Sequence, residues 1–180
     1  MSDEHLTDYE DVSHFGLDPD DEETMHAQQR ELTFCWTTRD RSPMASIMSY
    51  LRRDGTFWLT SSARRKRIAA LRRDPRVAVV VTSTGTEMGG DRTVTYKGTA
   101  RIHEDRTTKD WFYPALARRL VGPNPKHVAE FVGLLDSPGR VVIEVRTGLR
   151  VGYDGTKMAA ATAQSRAAGA LRNRRTHPEE

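Results

Sequence analysis

Residues 61–81, SSARRKRIAALRRDPRVAVVV, decide how the middle of the chain folds. They place seven Arg or Lys residues in positions 64–76 and continue as an uninterrupted apolar run. The two leading serines are good N-cap residues and the proline ends a helix, so the stretch predicts a short helix followed by a strand buried on both faces. Four consecutive cations, Arg64, Arg65, Lys66 and Arg67, stand at the positive end of that helix, where solvent or an anion must offset their charge.

Strands are predicted on both sides of this helix. Upstream, three β-rich segments form an antiparallel meander, with an Asp-Gly hairpin turn at Asp54 and Gly55. Downstream, Gly98 marks a bulge in a long strand, and two further helices precede the last strand. The six predicted strands are 31–38, 44–51, 56–62, 76–83, 92–104 and 140–155. This order predicts a mainly β (α+β) fold in which six antiparallel strands close into a small barrel with peripheral helices.

The charges divide the chain into three parts. Residues 1–29 contain ten Asp or Glu residues and no Lys or Arg, whereas the remainder carries 28 basic and 15 acidic residues. We therefore predict a disordered acidic arm over residues 1–22, one folded domain over 23–155 that opens with a short helix near Glu23, and a basic tail over 156–180. The basic charge of residues 30–180 indicates an anionic partner, which is nucleic acid, an anionic cofactor or the protein's own acidic arm. The alternative is a basic surface that only contacts solvent.

The sequence lacks the signals of several other classes of protein. The single cysteine, Cys35, cannot form a disulfide within the chain, and the six histidines show no ligand spacing, so no metal site is predicted. No apolar run approaches the ~18 residues of a membrane span and no signal peptide is visible, so we expect a cytoplasmic protein without membrane contacts. Nucleophile-elbow, Walker and Rossmann patterns are also missing from the sequence.

The basic stretch is the strongest candidate site. Thr60, Ser61 and Ser62 end a strand just before the helix, so their hydroxyl groups and the free helix N–H groups can meet a phosphate beneath the neighbouring cations. The residues alone leave three interpretations open. The charges hold an anionic cofactor, they belong to a solvated helix, or they follow a nucleic-acid backbone.

Two segments carry a family resemblance. GTFWLTSSARRKRIAALRRDPRVAVVV from Gly55 and RTVTYKGTARI from Arg92 resemble the pyridoxamine 5'-phosphate oxidase-like family of flavin-binding split barrels, including the actinobacterial branch that binds the deazaflavin F420. The resemblance covers residues 23–155. It implies a six-stranded antiparallel split β-barrel, FMN or alternatively F420 as cofactor, and a homodimer whose two cofactors lie at the interface, each touched by both chains.

The resemblance also implies roles for individual residues. Arg65 and Lys66 match the basic pair that holds the flavin phosphate, and Leu59 and Thr60 match the strand end beneath it. Residues 44–49 match the strand whose backbone lines the ring and ribityl chain, and Thr93 stands where the oxidase branch has a ring-contacting Gln. With the cradle residues, the predicted cofactor-binding set is Met44, Ala45, Ser46, Ile47, Met48, Ser49, Leu59, Thr60, Ser61, Ser62, Arg64, Arg65, Lys66 and Thr93.

The predicted function is that of an FMN- or F420-dependent oxidoreductase, a flavoprotein that transfers hydride to or from a small-molecule substrate. The sequence lacks the Arg-x-His substrate motif of true pyridoxamine phosphate oxidases near its C-terminus, which argues against vitamin B6 phosphate as substrate. No residue stands out as a general acid, and Tyr96, His103 and Tyr153 are candidates. The alternatives are a non-catalytic flavin- or haem-binding protein on the same fold and, with less support, a nucleic-acid-binding protein.

Overall fold

The computed structural model describes residues 11–168, which form one curled antiparallel sheet with helices around it. In chain order the elements are α1 (Pro19–Gln28), β1 (Glu31–Thr37), β2 (Pro43–Ser49), β3 (Leu51–Arg53), β4 (Thr56–Ser62), α2 (Lys66–Arg73), β5 (Arg76–Thr82), β6 (Arg92–His103), α3 (Arg106–Val121), α4 (Pro125–Leu135), β7 (Arg140–Asp154) and α5 (Gly155–Ala167). The order across the sheet is β2-β1-β5-β6-β7-β4-β3. The predicted split-barrel class is confirmed.

The sheet has seven strands rather than the predicted six because the second strand changes partner at Tyr50. Up to Ser49 this strand pairs with β1, and from Leu51 it pairs with β4. The two ends of the strand order, β2 and β3, are therefore consecutive pieces of one bent strand. The Tyr50 side chain is fully buried at the bend, which explains why the strand turns inward there.

Two local predictions are confirmed by the backbone. Asp54 and Gly55 both have positive φ angles, 52° and 73°, as a two-residue β-hairpin turn requires. The pairing of β6 with β7 shifts register between Tyr96 and Gly98, which is the predicted bulge. A Cβ atom at Gly98 would lie 2.5 Å from the Arg146 carbonyl oxygen, so glycine is required there by the close approach of β7.

Strand β4 separates two apolar clusters. Phe57 and Leu59 are buried inside the barrel together with Ile68 and Leu71, which lie on one face of α2. Trp58 faces the other way and packs against the second cluster, which includes Phe112 of α3. The alternation along β4 therefore holds the barrel and the α3–α4 pair together.

The prediction that β5 is buried on both faces is wrong for the single chain. Val77, Val79 and Val81 point into the barrel and are buried, but Ala78 and Val80 are only partly covered. Val80 belongs to a row of directly paired residues that crosses the outer face of five strands. We call this row the outer strip, and its members are Ile47, Thr33, Val80, Thr95 and Val151.

Helices lie at both ends of the described residues. Helix α1 begins at Pro19 rather than near Glu23, and Phe15, Leu17 and Glu22 are buried, because this segment packs against the sheet and Asp154 donates a backbone hydrogen bond to Phe15. Helix α5 covers the first part of the predicted basic tail. Residues 1–10 of the predicted arm and residues 169–180 of the tail lie outside the described residues, and the three-part division stays a prediction.

Candidate functional site

Helix α2 begins later than its sequence predicts. Its N-cap is Arg65, which makes no side-chain cap, rather than Ser61 or Ser62. The reason is that Ser62 still pairs with Arg140 of β7 and the Ala63 amide donates to the Gly139 carbonyl at 2.8 Å, so the chain stays extended to that point. The basic residues therefore surround the first turn itself.

The hydroxyl groups of the predicted cradle have partners within the chain. Thr60 Oγ1 donates to the Val141 carbonyl at 3.0 Å, and Ser62 Oγ accepts from the Arg64 amide at 3.3 Å. Ser61 is buried, as is Leu59, which lies in the barrel core. The groups at this position that can still donate to an anion are the Ser62 hydroxyl, which accepts from Arg64 but keeps its own O–H, the basic side chains and the uncapped N–H groups of α2.

The four consecutive cations have no carboxylate partner in the part of the chain that the structure describes. Arg64, Arg65 and Lys66 are exposed, and Arg67 is half-buried. None of the four forms an ion pair with a carboxylate within residues 11–168. Such a cluster suits the binding of a phosphate dianion. The dianion would reduce the repulsion among the four cations and their repulsion from the partial positive charge at the helix N-terminus.

Arg67 connects α2 to strand β2. Its Nη1 atom donates to Ser46 Oγ at 2.7 Å and lies 2.7 Å from Met48 Sδ, and its guanidinium carbon lies 5.2 Å from the centre of the Trp36 ring. Burial, together with the nearby charge of Arg65, lowers the pKa of Arg67. The structure thus brings two parts of the predicted site together through a residue that the sequence analysis did not select. The signal was present in the sequence, since Arg67 belongs to the same run of four cations.

Strand β2 offers a free edge at this position. It is the last strand in the sheet order and pairs only with β1 among the described strands, so half of its backbone N–H and C=O groups point away from the sheet. Met44, Ser46 and Met48 are paired with Trp36, Phe34 and Leu32, whereas Ala45, Ile47 and Ser49 lie on the outer face. Ile47 and Met44 are among the most exposed large apolar side chains, at 61% and 51%.

Thr93 lies apart from these residues. It is paired with Thr82 and Tyr153, at the end of β5 farthest from α2, and its Oγ1 donates to the Val81 carbonyl at 3.2 Å. Arg67 contacts Trp36, which pairs with Val77, and Val77 is five residues from Thr82, or ~17 Å along a strand. One chain therefore does not bring Thr93 to the basic cluster. Thr93 does share the outer face with Thr95 of the outer strip.

The three general-acid candidates occupy different places. Tyr96 is buried inside the barrel, and His103 Nε2 lies 2.7 Å from Glu144 Oε2 beneath α3. The Tyr153 hydroxyl contacts Met158 Sδ at 2.8 Å. None of them contacts Arg67 or the cation run in the described part of the chain.

A buried polar network fills the barrel next to α1. The Tyr96 hydroxyl donates to the Glu22 carboxylate, which also accepts from Arg150. Tyr96 therefore accepts from His26 Nε2 at 3.0 Å, which leaves His26 Nδ1 to accept from the Tyr50 hydroxyl at 3.1 Å. Burial and the nearby Arg52 lower the His26 pKa to about 4, so the imidazole is neutral.

An open groove of about 960 Å³ lies at the Ser49 end of β2. Arg30, Arg118 and Arg119 line one side of it, and Glu31 and Glu87 also face it. Two of the arginines are fixed by backbone carbonyls: Arg119 donates to those of His26 and Gln29, and Arg30 donates to that of Leu120 at 3.3 Å. The groove was not apparent from the sequence because its walls come from α1, the β5–β6 loop and the last turn of α3.

Two other kinds of feature are missing between residues 11 and 168. No group of three or more His, Cys, Asp or Glu side chains in that range is arranged to hold a metal ion. No helix of that range is both long and apolar enough to cross a membrane.

Comparison with known families identifies the fold. A sequence model described as pyridoxamine 5'-phosphate oxidase matches residues 21–148, which is most of the chain. The chain belongs to the pyridoxamine 5'-phosphate oxidase family. The matched segment contains α2, strand β2 and the buried network, so the family region includes every part of the candidate site except the end of β7.

Solved structures share the fold of this family member. A conserved hypothetical protein of Mycobacterium tuberculosis superposes with a TM-score of 0.69 at 23% identity, covering 81% of this chain and 89% of that one. An F420 reductase superposes with a TM-score of 0.55 at 20% identity, covering 71% of this chain and 94% of that one. The haem storage protein HutZ of Vibrio cholerae superposes with a TM-score of 0.60 at 11% identity, covering 76% of this chain and 94% of that one. A search of curated protein sequences finds no match.

Proposed function

We propose that this protein is an oxidoreductase that binds FMN, or alternatively F420, and transfers hydride to or from a small molecule. The observation that supports this most directly is the run of four cations at the start of α2, which find no carboxylate partner among residues 11–168 and are joined by Arg67 to the free edge of β2. Membership of the pyridoxamine 5'-phosphate oxidase family and the fold shared with an F420 reductase are consistent with it.

Different residues of the site would bind different parts of the cofactor. Arg65 and Lys66 would hold the phosphate, since they are exposed, adjacent and at a helix start. The free backbone groups of β2 present alternating donors and acceptors, which match the hydrogen-bonding edge of a flavin or deazaflavin pyrimidine ring. When bound, the cofactor supplies the ring that accepts and gives up hydride.

The groove at the end of β2 is the proposed entry for substrate. It adjoins Ser49, the last residue of the strand assigned to the ring, and its volume lies in the range of small-molecule sites. Its mixed charge, with three arginines and two glutamates, favours a polar substrate over an apolar one.

Titration of the purified protein with FMN and with F420, followed by absorption and fluorescence, tests this proposal. We expect saturable binding of one of them with a shifted visible spectrum, and turnover in the presence of a hydride donor. Weak binding of both cofactors, with tight binding of DNA or RNA that falls linearly on a log–log salt plot, would instead support the nucleic-acid interpretation.

We further propose that the protein is a homodimer that buries the outer strip. The apolar run of β5 is typical of burial on both faces, yet in one chain Val80 is only partly covered, and Ile47 and Val151 remain 61% and 59% exposed. A second chain on this face would cover them. It would also place Thr93, which lies on the same face, at the boundary between the two subunits.

Ile47→Asp is expected to convert the dimer into a monomer, because it buries an unpaired carboxylate in place of the most exposed apolar side chain of the outer strip. Sedimentation at micromolar concentration should return twice the chain mass for the natural protein and a single chain mass for the variant. Leu134→Asp is the matched control, since Leu134 is 76% exposed on α4, away from the outer strip, and should leave the dimer intact. A natural protein that sediments as one chain would refute the dimer.

A further inference from the structure

Arg67 differs from the three cations before it. Arg64, Arg65 and Lys66 are exposed, whereas Arg67 is half-buried and turned towards β2. Its recorded partners are a hydroxyl, a thioether sulfur and an indole ring, and none of these carries a compensating charge. Within the described residues it has no carboxylate within ion-pair distance.

This arrangement is electrostatically costly in the absence of a ligand. Burial removes part of the hydration of the Arg67 guanidinium, and hydrogen bonds to neutral acceptors replace it only in part. The positive charge of Arg65 also repels that of Arg67. A structural role in joining α2 to β2 needs only a hydrogen bond to Ser46, which a neutral side chain could supply. The Trp36 ring attracts the charge through a cation–π contact, but no partner of Arg67 among the described residues carries the opposite charge.

We infer that Arg67 is a positioning and tuning residue whose charge stabilises the reduced cofactor on β2. This rests on the proposed function, because it takes the ring to lie along β2. Uptake of a hydride would add one negative charge to the bound ring, while the substrate would be oxidised by losing that hydrogen with its electron pair and would release a proton to solvent. A fixed cation beside the strand that holds the ring favours that product over the oxidised form.

The role of the charge is tested by two substitutions. Arg67→Lys keeps the charge, whereas Arg67→Met keeps a flexible, unbranched chain but removes the charge together with the hydrogen bond to Ser46. Arg73→Met is the matched control, because Arg73 is an exposed cation in the last turn of the same helix.

The experiment measures the midpoint potential of FMN bound to each protein, or of F420 if that is what the natural protein binds. Removing the charge should weaken binding of the reduced form relative to the oxidised form roughly tenfold, which is about a 30 mV fall for a two-electron couple. Arg67→Lys should retain most of the natural value, and Arg73→Met should not change it. Melting curves without cofactor verify that each variant folds.

Riboflavin, which lacks the phosphate, separates ring tuning from phosphate binding. If Arg67 acts on the ring, Arg67→Met changes the potentials of bound FMN and riboflavin alike. A loss of FMN affinity with an unchanged potential would show Arg67 to be a phosphate ligand and overturn the inference. A lower melting temperature with unchanged potential would show a purely structural contact, which also overturns it. Failure of the natural protein to bind either cofactor would refute the proposed function as well.

Discussion

Replacing Arg65 and Lys66 together by alanine is expected to weaken cofactor binding by roughly 100-fold or more. Hydrogen bonds to charged groups contribute ~1.5–3 kcal/mol each, and both residues are exposed, so solvent screening places the effect towards the lower end. The protein without cofactor should melt at the same temperature or slightly higher, because two cations leave the positive end of α2. Isothermal titration with the cofactor that the natural protein binds, together with melting curves, measures both effects.

The matched control is the double variant Arg72→Ala and Arg73→Ala. It removes the same number of charges from the same helix, but at its last turn, where Arg72 pairs with Glu104. General attraction between a basic surface and an anion predicts similar losses for both double variants. A phosphate site at the start of α2 predicts a large loss for the first double variant and a small one for the second. Equal losses would refute the site.

The buried network predicts a second large effect, a loss of stability in mild acid. His26 has a pKa of about 4 in the folded protein and about 6.5 when unfolded, so the unfolded state binds the proton more readily. Its contribution to stability is complete above pH 6.5 and falls as the pH drops towards 4. We expect about 2 kcal/mol less stability at pH 5 than at pH 7.5, measured by urea unfolding at each pH.

His26→Gln is the control for this pH effect. The glutamine amide can still donate to Tyr96, so the network loses the bond from Tyr50 but keeps the link towards Glu22. We expect lower stability at pH 7.5 and a much flatter dependence between pH 7.5 and 5. Burial opposes ionisation of Glu22, but the hydrogen bonds from Arg150 and Tyr96 outweigh burial and lower its pKa. The stability that depends on ionised Glu22 is therefore lost at a pH below the range of 7.5 to 5. The same slope in both proteins would assign the titration to another group.

The strands were predictable because their signals are local. The Asp-Gly turn and the bulge at Gly98 are each signalled by glycine in a short β-rich segment, and both occur as predicted. The bend at Tyr50 was not predictable, since it depends on which strand each half of the segment meets in space. The late start of α2 has the same cause, because pairing with β7 overrides the capping preference of the two serines.

The site shows the same division between local and distant information. The run of cations is visible in the sequence, but the direction in which each side chain points is decided by the packing of α2 across the sheet. Glu22 and His26 looked like parts of an acidic arm and a peripheral helix. They are core residues because Tyr96 and Arg150 supply partners from strands 70 or more residues away. Pairings of this kind leave no periodic trace in a sequence.

The strand that bends at Tyr50 also bears on how the chain folds. Its two halves pair with β1 and β4, which are its immediate neighbours in sequence, so these contacts close only short loops. Strand β7, in contrast, must join β4 across more than 80 residues, for example at Phe57 and Val145. The β1–β4 meander can therefore assemble early, while closure of the barrel depends on a slow, long-range search. During synthesis on the ribosome, β4 and β6 cannot pair with β7 until β7 has emerged. Until then the apolar inner faces of β4 and β6 are not stably buried.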